Sequence, residues 1–267
     1  MRFLSCLVAT TACLSGAAAM AAEGEAPTAW EGAIGPVINH SPAFAGARDH
    51  RTRLLPGFFV RYGRFTATNA GGFVTRKQDE VDRGVAADLL RGDRYRLNVA
   101  LRFDGGRSSS DSPLLSGMGN VPVTLRARLG LVVKLDRHWR TSTALSADLM
   151  GRGGGVTFDQ NLQYSARVSP RTMWHTTLGV SAADQRYMQS YFGVTDAQAA
   201  ASIYTVHRVG AGLRDVHLGT GLNIDLSERW VAFGDIGAAR LLGPALASPL
   251  TQRAWGWSTR AGVAWRF

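Results

Sequence analysis

Apolar and polar residues alternate along most of this chain with a period of two, the spacing at which side chains fall on opposite faces of a β-strand. In residues 94–104, Tyr95, Leu97, Val99, Leu101 and Phe103 share one face, and Arg94, Arg96, Asn98, Arg102 and Asp104 the other. Residues 121–135 set Val121, Val123, Leu125, Ala127, Leu129, Leu131, Val133 and Leu135 against Thr124, Arg126, Arg128 and Lys134. The theme repeats in 138–150, where Trp139, Leu145 and Leu149 oppose His138, Arg140, Ser142 and Asp148. In 156–168, Val156, Phe158, Leu162, Tyr164 and Val168 oppose Asp159, Asn161, Gln163 and Arg167. In 216–226, Val216, Leu218, Leu222, Ile224 and Leu226 oppose His217, Asn223 and Asp225. The chain ends the same way, with Trp255, Trp257, Val263, Trp265 and Phe267 opposite Arg260 and Arg266.

A soluble sandwich alternates too, so length and the polar face decide. Strands of soluble sheets usually run about five or six residues, whereas a tilted strand needs about 9–11 to cross a bilayer, and these segments reach that length. Their polar faces mix Arg, Asp and Asn with Gly, as a watery lumen requires. Trp30, Trp139, Trp174, Trp230 and Trp265 fall near strand ends, where interfacial girdles form. Short polar turns at 91–93, Asp136, 169–171 and 227–229 alternate with longer connections at about 39–53, 104–120, 151–155, 183–210 and 243–253. That asymmetry, brief on the periplasmic side and long outside, is the outer-membrane pattern. The reading is an all-β, transmembrane antiparallel up-and-down β-barrel of about twelve strands. Residues 71–90 fit no clear element, which leaves ten strands open. Residues 106–113 and 197–202 read as flexible loop.

The first 21 residues depart from this pattern. Arg2 is followed by an apolar stretch from Phe3 to Leu14 and an Ala19-Met20-Ala21 cleavage site, the layout of a secretory signal peptide cut after Ala21 or Ala22. A membrane anchor would need an apolar stretch of about 20 residues, longer than this one. Residues 22–29 then form a short periplasmic segment and 30–267 the barrel. Cys6 and Cys13, the two cysteines, both lie in the leader, so the exported chain would hold no thiol, disulfide or Cys-based metal site. The formal charge is +10, and removal of Arg2 leaves 29 basic and 20 acidic residues, or +9. Such a balance suits lipopolysaccharide or acidic solutes, and export argues against nucleic acid.

Candidate chemistry is sparse. A hydrolytic barrel needs a Ser and His pair, yet His175 has only Thr176 and Thr177 beside it, and no two His residues have ligand spacing on one strand. The expectation is no catalytic residue, no metal and no cofactor. The strongest feature is a lumen face rich in arginine: Arg94, Arg96, Arg102, Arg126, Arg128, Arg140, Arg167, Arg260 and Arg266, with Asp104, Asp148, Asp159 and Asp225 as acids. These groups form either a salt-bridged plug or a basic constriction favouring anions, since twelve strands fall between a packed and an open interior. Arg48, Arg51 and Arg53 in the first outer loop could meet lipopolysaccharide phosphates or simply water. Val263, Trp265 and the terminal Phe267 resemble the signal by which barrel-assembly machinery recognises outer-membrane barrels.

Several segments are similar to the MltA-interacting protein family, also called MipA/OmpV, of Gram-negative outer membranes. They are "SYFGVTDAQAAAS" (190–202), "AGLRDVHLGTGLNIDLSERW" (211–230) and "RLLGPALASPL" (240–250), with weaker echoes at 41–65 and 112–121. Two departures stand out: Gly243-Pro244-Ala245 where the family often carries an acid after the glycine, and an unusually basic first loop. The resemblance implies a non-enzymatic scaffold in the outer membrane, bringing a lytic transglycosylase and a murein synthase together at the peptidoglycan. Its alternative implication is a porin-like or osmotic-response barrel. Turns of two or three residues leave little periplasmic surface for the about 800 Å² per partner of a stable interface.

Overall fold

The computed structural model describes residues 30–69 and 83–267. The leader, the 22–29 segment and much of the unassigned 71–90 stretch lie outside the described residues. The strands are β1 (Glu31–Pro42), β2 (His50–Tyr62), β3 (Phe65–Thr68), β4 (Gly84–Arg91), β5 (Tyr95–Asp104), β6 (Thr124–Lys134), β7 (Trp139–Asp148), β8 (Val156–Ser169), β9 (Thr172–Ala183), β10 (Gly212–Asp225), β11 (Trp230–Leu241) and β12 (Trp255–Arg266). Each pairs antiparallel with its sequence neighbours, and β12 returns to β1, so twelve strands close the barrel. Closure leaves no edge with unpaired backbone groups, the condition for spanning lipid with strands.

At the β1–β12 seam the register runs Ala33↔Arg266 and Ile34↔Trp265, then resumes at Val37↔Gly262. Between them sits Pro36, which has no N–H to give to β12. The terminal residue compensates: Phe267 N donates to Gly32 O at 3.0 Å and Gly32 N to Phe267 O at 3.1 Å.

One face of every strand is apolar and turned outward. Cross-strand rows such as Leu97↔Leu131, Val99↔Leu129 and Leu129↔Leu145 are continuous, and Phe103 is 79% exposed. A soluble protein rarely bares more than a few hundred Å² of contiguous apolar surface, so a belt circling the molecule belongs in hydrocarbon. No helix among the described residues is long and apolar enough to cross a membrane; the strands do the crossing. Aromatic clusters mark the end carrying the short turns: Trp30 with Tyr62 (4.8 Å between centroids), Tyr164 with Trp139 (5.0 Å) and Trp174 (5.7 Å), and Trp265 with Phe267 (5.4 Å).

Two details differ from the sequence reading. The first outer loop is only residues 43–49, because β1 runs on to Pro42 and β2 begins at His50, making Arg51 and Arg53 strand residues. The long connections are folded, not flexible. Residues 184–211 carry α1 (Gln185–Phe192) and α2 (Asp196–Ala201), residues 242–254 carry α3 (Gly243–Leu246), and 105–123 carry two 3-10 turns. Capping explains them: Asp184 accepts from Tyr187 N, while Thr195 with Gln198 and Ser108 with Asp111 form capping boxes.

Candidate functional site

The inward face of the sheet is polar, and its charges are arranged by register. Near the outer end Arg126 is wholly buried. Its Nη1 donates to Gly154 O (2.5 Å), its Nη2 to Ser146 O (3.1 Å) and Thr157 Oγ1 (3.2 Å), and Asp104 lies 3.7 Å away. Asp148 stands opposite Arg126 in register but serves the turn beyond β7. It accepts from Thr124 and from the backbone N–H groups of Met150, Gly151 and Gly154.

Further in, Arg128 pairs with Asp159 at 3.3 Å, and Ser181 donates to the same carboxylate at 2.7 Å. Asp215 gathers His217 (2.9 Å) and Arg214 (2.6 Å), the latter placed there by an irregularity between Leu213 and Asp215. His217 Nε2 lies 2.9 Å from Asn161 Oδ1. Asp235 takes Arg260 at 3.0 Å and His175 at 3.1 Å. Arg266 reaches Asp225 at 2.7 Å. Asp215, Asp235 and Arg214 were not among the sequence candidates. Asp215 and His217 at i, i+2 were a usable signal, whereas the Asp235↔Arg260 pairing exists only through strand register.

The remaining candidates are less enclosed. Arg102 stands directly opposite Arg126, and among the described residues no acid pairs with it. Arg96 lies 3.7 Å from Asp88, and Arg140 Nε donates to Gln163 at 2.8 Å. Arg94 is in the 92–94 turn, one residue before β5. Arg167 donates to Pro170 O (3.0 Å) at the β8–β9 turn and is exposed. Val263, Trp265 and Phe267 lie on the apolar face of the last strand. No group of three or more metal-binding side chains occurs among the described residues.

The outer mouth is covered. Phe44 from the first loop, Leu115 and Met118 from 105–123, Val194, Ala199 and Tyr204 from 184–211, and Leu250 from 242–254 share one apolar cluster. In a second cluster Met188 and Phe192 of α1 pack with Val209, Leu241 and Ala245. These loops rise from separated arcs of a closed barrel, so they meet only by crossing the mouth. Polar ties fix them: Arg107 Nη1 to Tyr191 O (2.9 Å), Gln198 Nε2 to Met118 O (2.6 Å), Ser248 Oγ to Phe192 O (2.6 Å) and Arg51 to Asp111 (2.5 Å). Arg51 is thereby spent on the cap.

At the opposite end the barrel is indented. A cavity of about 550 Å³ is lined by Arg171, Asp225, Ser227, Glu228 and Arg266. A second cleft lies among Arg91, Gly92, Arg94, Tyr95, Arg96, Val132, Lys134 and Arg140. Among the described residues, the long loops pack against one another at one end of the barrel, and two recesses lie at the short-turn end.

Among curated proteins no match was found. Solved barrels overlay on the chain with little sequence in common. The NanC porin has a TM-score of 0.45 at 7% identity, over 86% of this chain and 98% of that one. An anion-selective porin from Comamonas acidovorans has 0.38 at 11% identity, over 91% and 100%. The toluene transporter TbuX of Ralstonia pickettii has 0.36 at 11%, over 91% and 90%. The model of one family, described as MltA-interacting protein MipA, matches residues 34–267, nearly the whole chain, and the protein belongs to that family.

Proposed function

We propose that this protein is a non-catalytic scaffold of the outer membrane of a Gram-negative bacterium, holding peptidoglycan-remodelling enzymes against the inner side of that membrane. In this reading the chain is exported through a cleaved leader and inserted by the barrel-assembly machinery acting on Val263, Trp265 and Phe267. Its belt meets lipid and lipopolysaccharide, and its short-turn end faces the periplasm. The family description supports a lytic transglycosylase as one partner, with a murein synthase as the second.

The observation that carries the reading is the asymmetry of the two ends. Four loops build an apolar core across the outer mouth, which a solute path would have to breach. Both recesses open where periplasmic proteins have access. The turns there are short, so docking draws on the mouth itself and is weaker than a standard-sized interface.

The test pairs two measurements on the refolded barrel. Retention of a lytic transglycosylase on immobilised protein, with no steady current in planar bilayers, is the expected result. Steady anion-selective conductance without retention would replace the scaffold by the competing reading, a porin-like channel, for which the opposition of Arg102 and Arg126 on the lumen wall is the favouring observation.

A further inference from the structure

We infer that the lipid-facing outer rim of β11, β12, β1 and β2 binds the phosphates of a phosphorylated glycolipid, the lipopolysaccharide of an outer leaflet. From the scaffold reading this takes only which end of the barrel points outward.

Three stretches of backbone are tied together at this rim. Gly46 O accepts from Gln252 N at 2.9 Å and from Arg253 N at 3.1 Å, and Arg48 N donates to the Gln252 side chain at 2.8 Å. Leu241 N donates to Ala254 O at 2.8 Å, which brings the end of β11 to the same place. Arg48, Arg240 and Arg253 therefore ride on neighbouring stretches of chain, and all three are exposed. Among the described residues no acid pairs with any of them, and Asp49, next to Arg48, forms no ion pair. Elsewhere on the cap Arg51 and Arg208 hold Asp111 and Asp196, and Arg107 holds the Tyr191 carbonyl.

Exposed arginine alone is ordinary solvated charge; what lies beneath these three is not ordinary. Arg240 stands opposite Trp255 in register, on the face turned to lipid, with its guanidinium 5.8 Å over the indole. Stacking engages the flat face of the guanidinium and leaves the N–H donors at its edge for an anion. Trp257, two residues along the same face, packs against His40 at 5.0 Å and His50 at 4.7 Å. His40 follows the exposed Ile34 and Ile38 in alternation on β1, as His50 precedes Leu54 and Phe58 on β2. The result is a shelf of rings at the edge of the apolar belt with cations above it, the depth at which acyl chains give way to headgroups. Cations held at that depth are drawn to anionic lipid.

The spread of the cations selects the lipid. A glycerophospholipid offers one phosphate, whereas lipid A carries two across a disaccharide. Arg48 and Arg253 on the tied loops and Arg240 at the end of β11 give separate anchoring points, each able to take two phosphate oxygens at once.

The probe is purified bisphosphorylated lipid A, titrated into the full barrel in nonionic micelles and read by native mass spectrometry. Dephosphorylated lipid A, phosphatidylglycerol and inorganic phosphate are the comparison arms. Bisphosphorylated lipid A is expected to bind tightest. R48Q/R240Q/R253Q should weaken it by about tenfold or more, since each arginine beside an anionic headgroup is worth roughly a fivefold change. R64Q/R137Q/R229Q removes three exposed arginines from the short turns, among them Arg64 stacked on Phe65, and should change affinity less than twofold. Equal binding of dephosphorylated lipid A or of phosphatidylglycerol, displacement by equimolar inorganic phosphate, or an equal loss in the short-turn variant would overturn the assignment. R240K guards against a triple variant that does not fold. It keeps the charge but loses the planar edge, so heat-modifiable folding should persist while lipid A affinity falls severalfold; unchanged affinity counts against the inference. Failed transglycosylase retention with intact lipid A preference sinks the scaffold and leaves the rim site. Retention with no such preference sinks the rim site alone.

Discussion

Arg126 shows how a charge is accommodated inside this barrel. Taking a guanidinium out of water costs several kcal/mol, and the chain offsets it with the carbonyls of Gly154 and Ser146, the Thr157 hydroxyl, Asp104 and the ring face of Tyr187, 5.8 Å away. Arg126→Met would fill much of the volume but strand those acceptors, so a loss of about 3 kcal/mol is expected, read as a lower urea midpoint of tryptophan fluorescence. An unshifted midpoint would mean that water reaches Gly154 and the cap is not tight. Tyr191 makes a second test at the same scale. Burial, assisted by the Asp104 carboxylate, pushes its phenol pKa upward from the ordinary 10.0. An acid whose folded pKa is raised contributes stability that is whole below its unfolded value and is lost as pH climbs above it. The cap should therefore loosen above about pH 10, and tyrosinate absorbance of wild type minus Tyr191→Phe should show ionisation delayed in the folded protein but not in urea. Coincident titrations would place Tyr191 in water.

At the scale of elements, closure at the seam depends on residues too small to obstruct it. A Cβ on Gly35 would strike the carbonyl oxygen of Val263, a backbone atom with nowhere to go, while one on Gly219 would meet only Ile236 O at 3.8 Å. Gly35→Ala should cut the yield of heat-modifiable folded barrel severalfold and Gly219→Ala should not; equal yields would show that the β1–β12 seam has slack. The barrel class and most of its strands were legible in the sequence because each strand has one neighbour that is always lipid, which enforces strict alternation, whereas β4 (Gly84–Arg91) lay in the stretch that the pattern left unassigned, so ten strands stayed open beside twelve. Loop ends were not legible. Asn39, His40, Arg51 and Arg53 look like loop because the outer strand ends project past the hydrocarbon, where no apolar face is demanded. The cap helices are four to eight residues long, too short for helical periodicity, and the legible signals in the cap were two boxes, Thr195 with Gln198 at α2 and Ser108 with Asp111 at a 3-10 turn. Cross-strand ion pairs such as Asp235 with Arg260 stayed hidden because register links positions 25 residues apart.

For the whole molecule the question is what the cap holds back. Twelve strands enclose more space than eight, which side chains fill, and less than sixteen, which conduct. The lumen wall sets Arg102 opposite Arg126, near the Arg128–Asp159 pair, and among the described residues no acid pairs with Arg102, so uncapping would expose a passage biased toward anions. Val194, fully buried in the cap core with Leu115, Met118 and Leu250, is the place to breach it, since an aspartate there is a buried charge with no partner and the loops must part to hydrate it. Wild type should be electrically silent, Val194→Asp should conduct with anion preference, and adding Arg102→Glu should reduce or reverse that preference without closing the path. Conductance of the intact protein equal to that of Val194→Asp would show that the cap is no barrier. Silence in every variant, with folding intact, would show that the ion pairs of Asp215, Asp235 and Asp159 themselves seal the barrel, moving the seal from the loops to the wall.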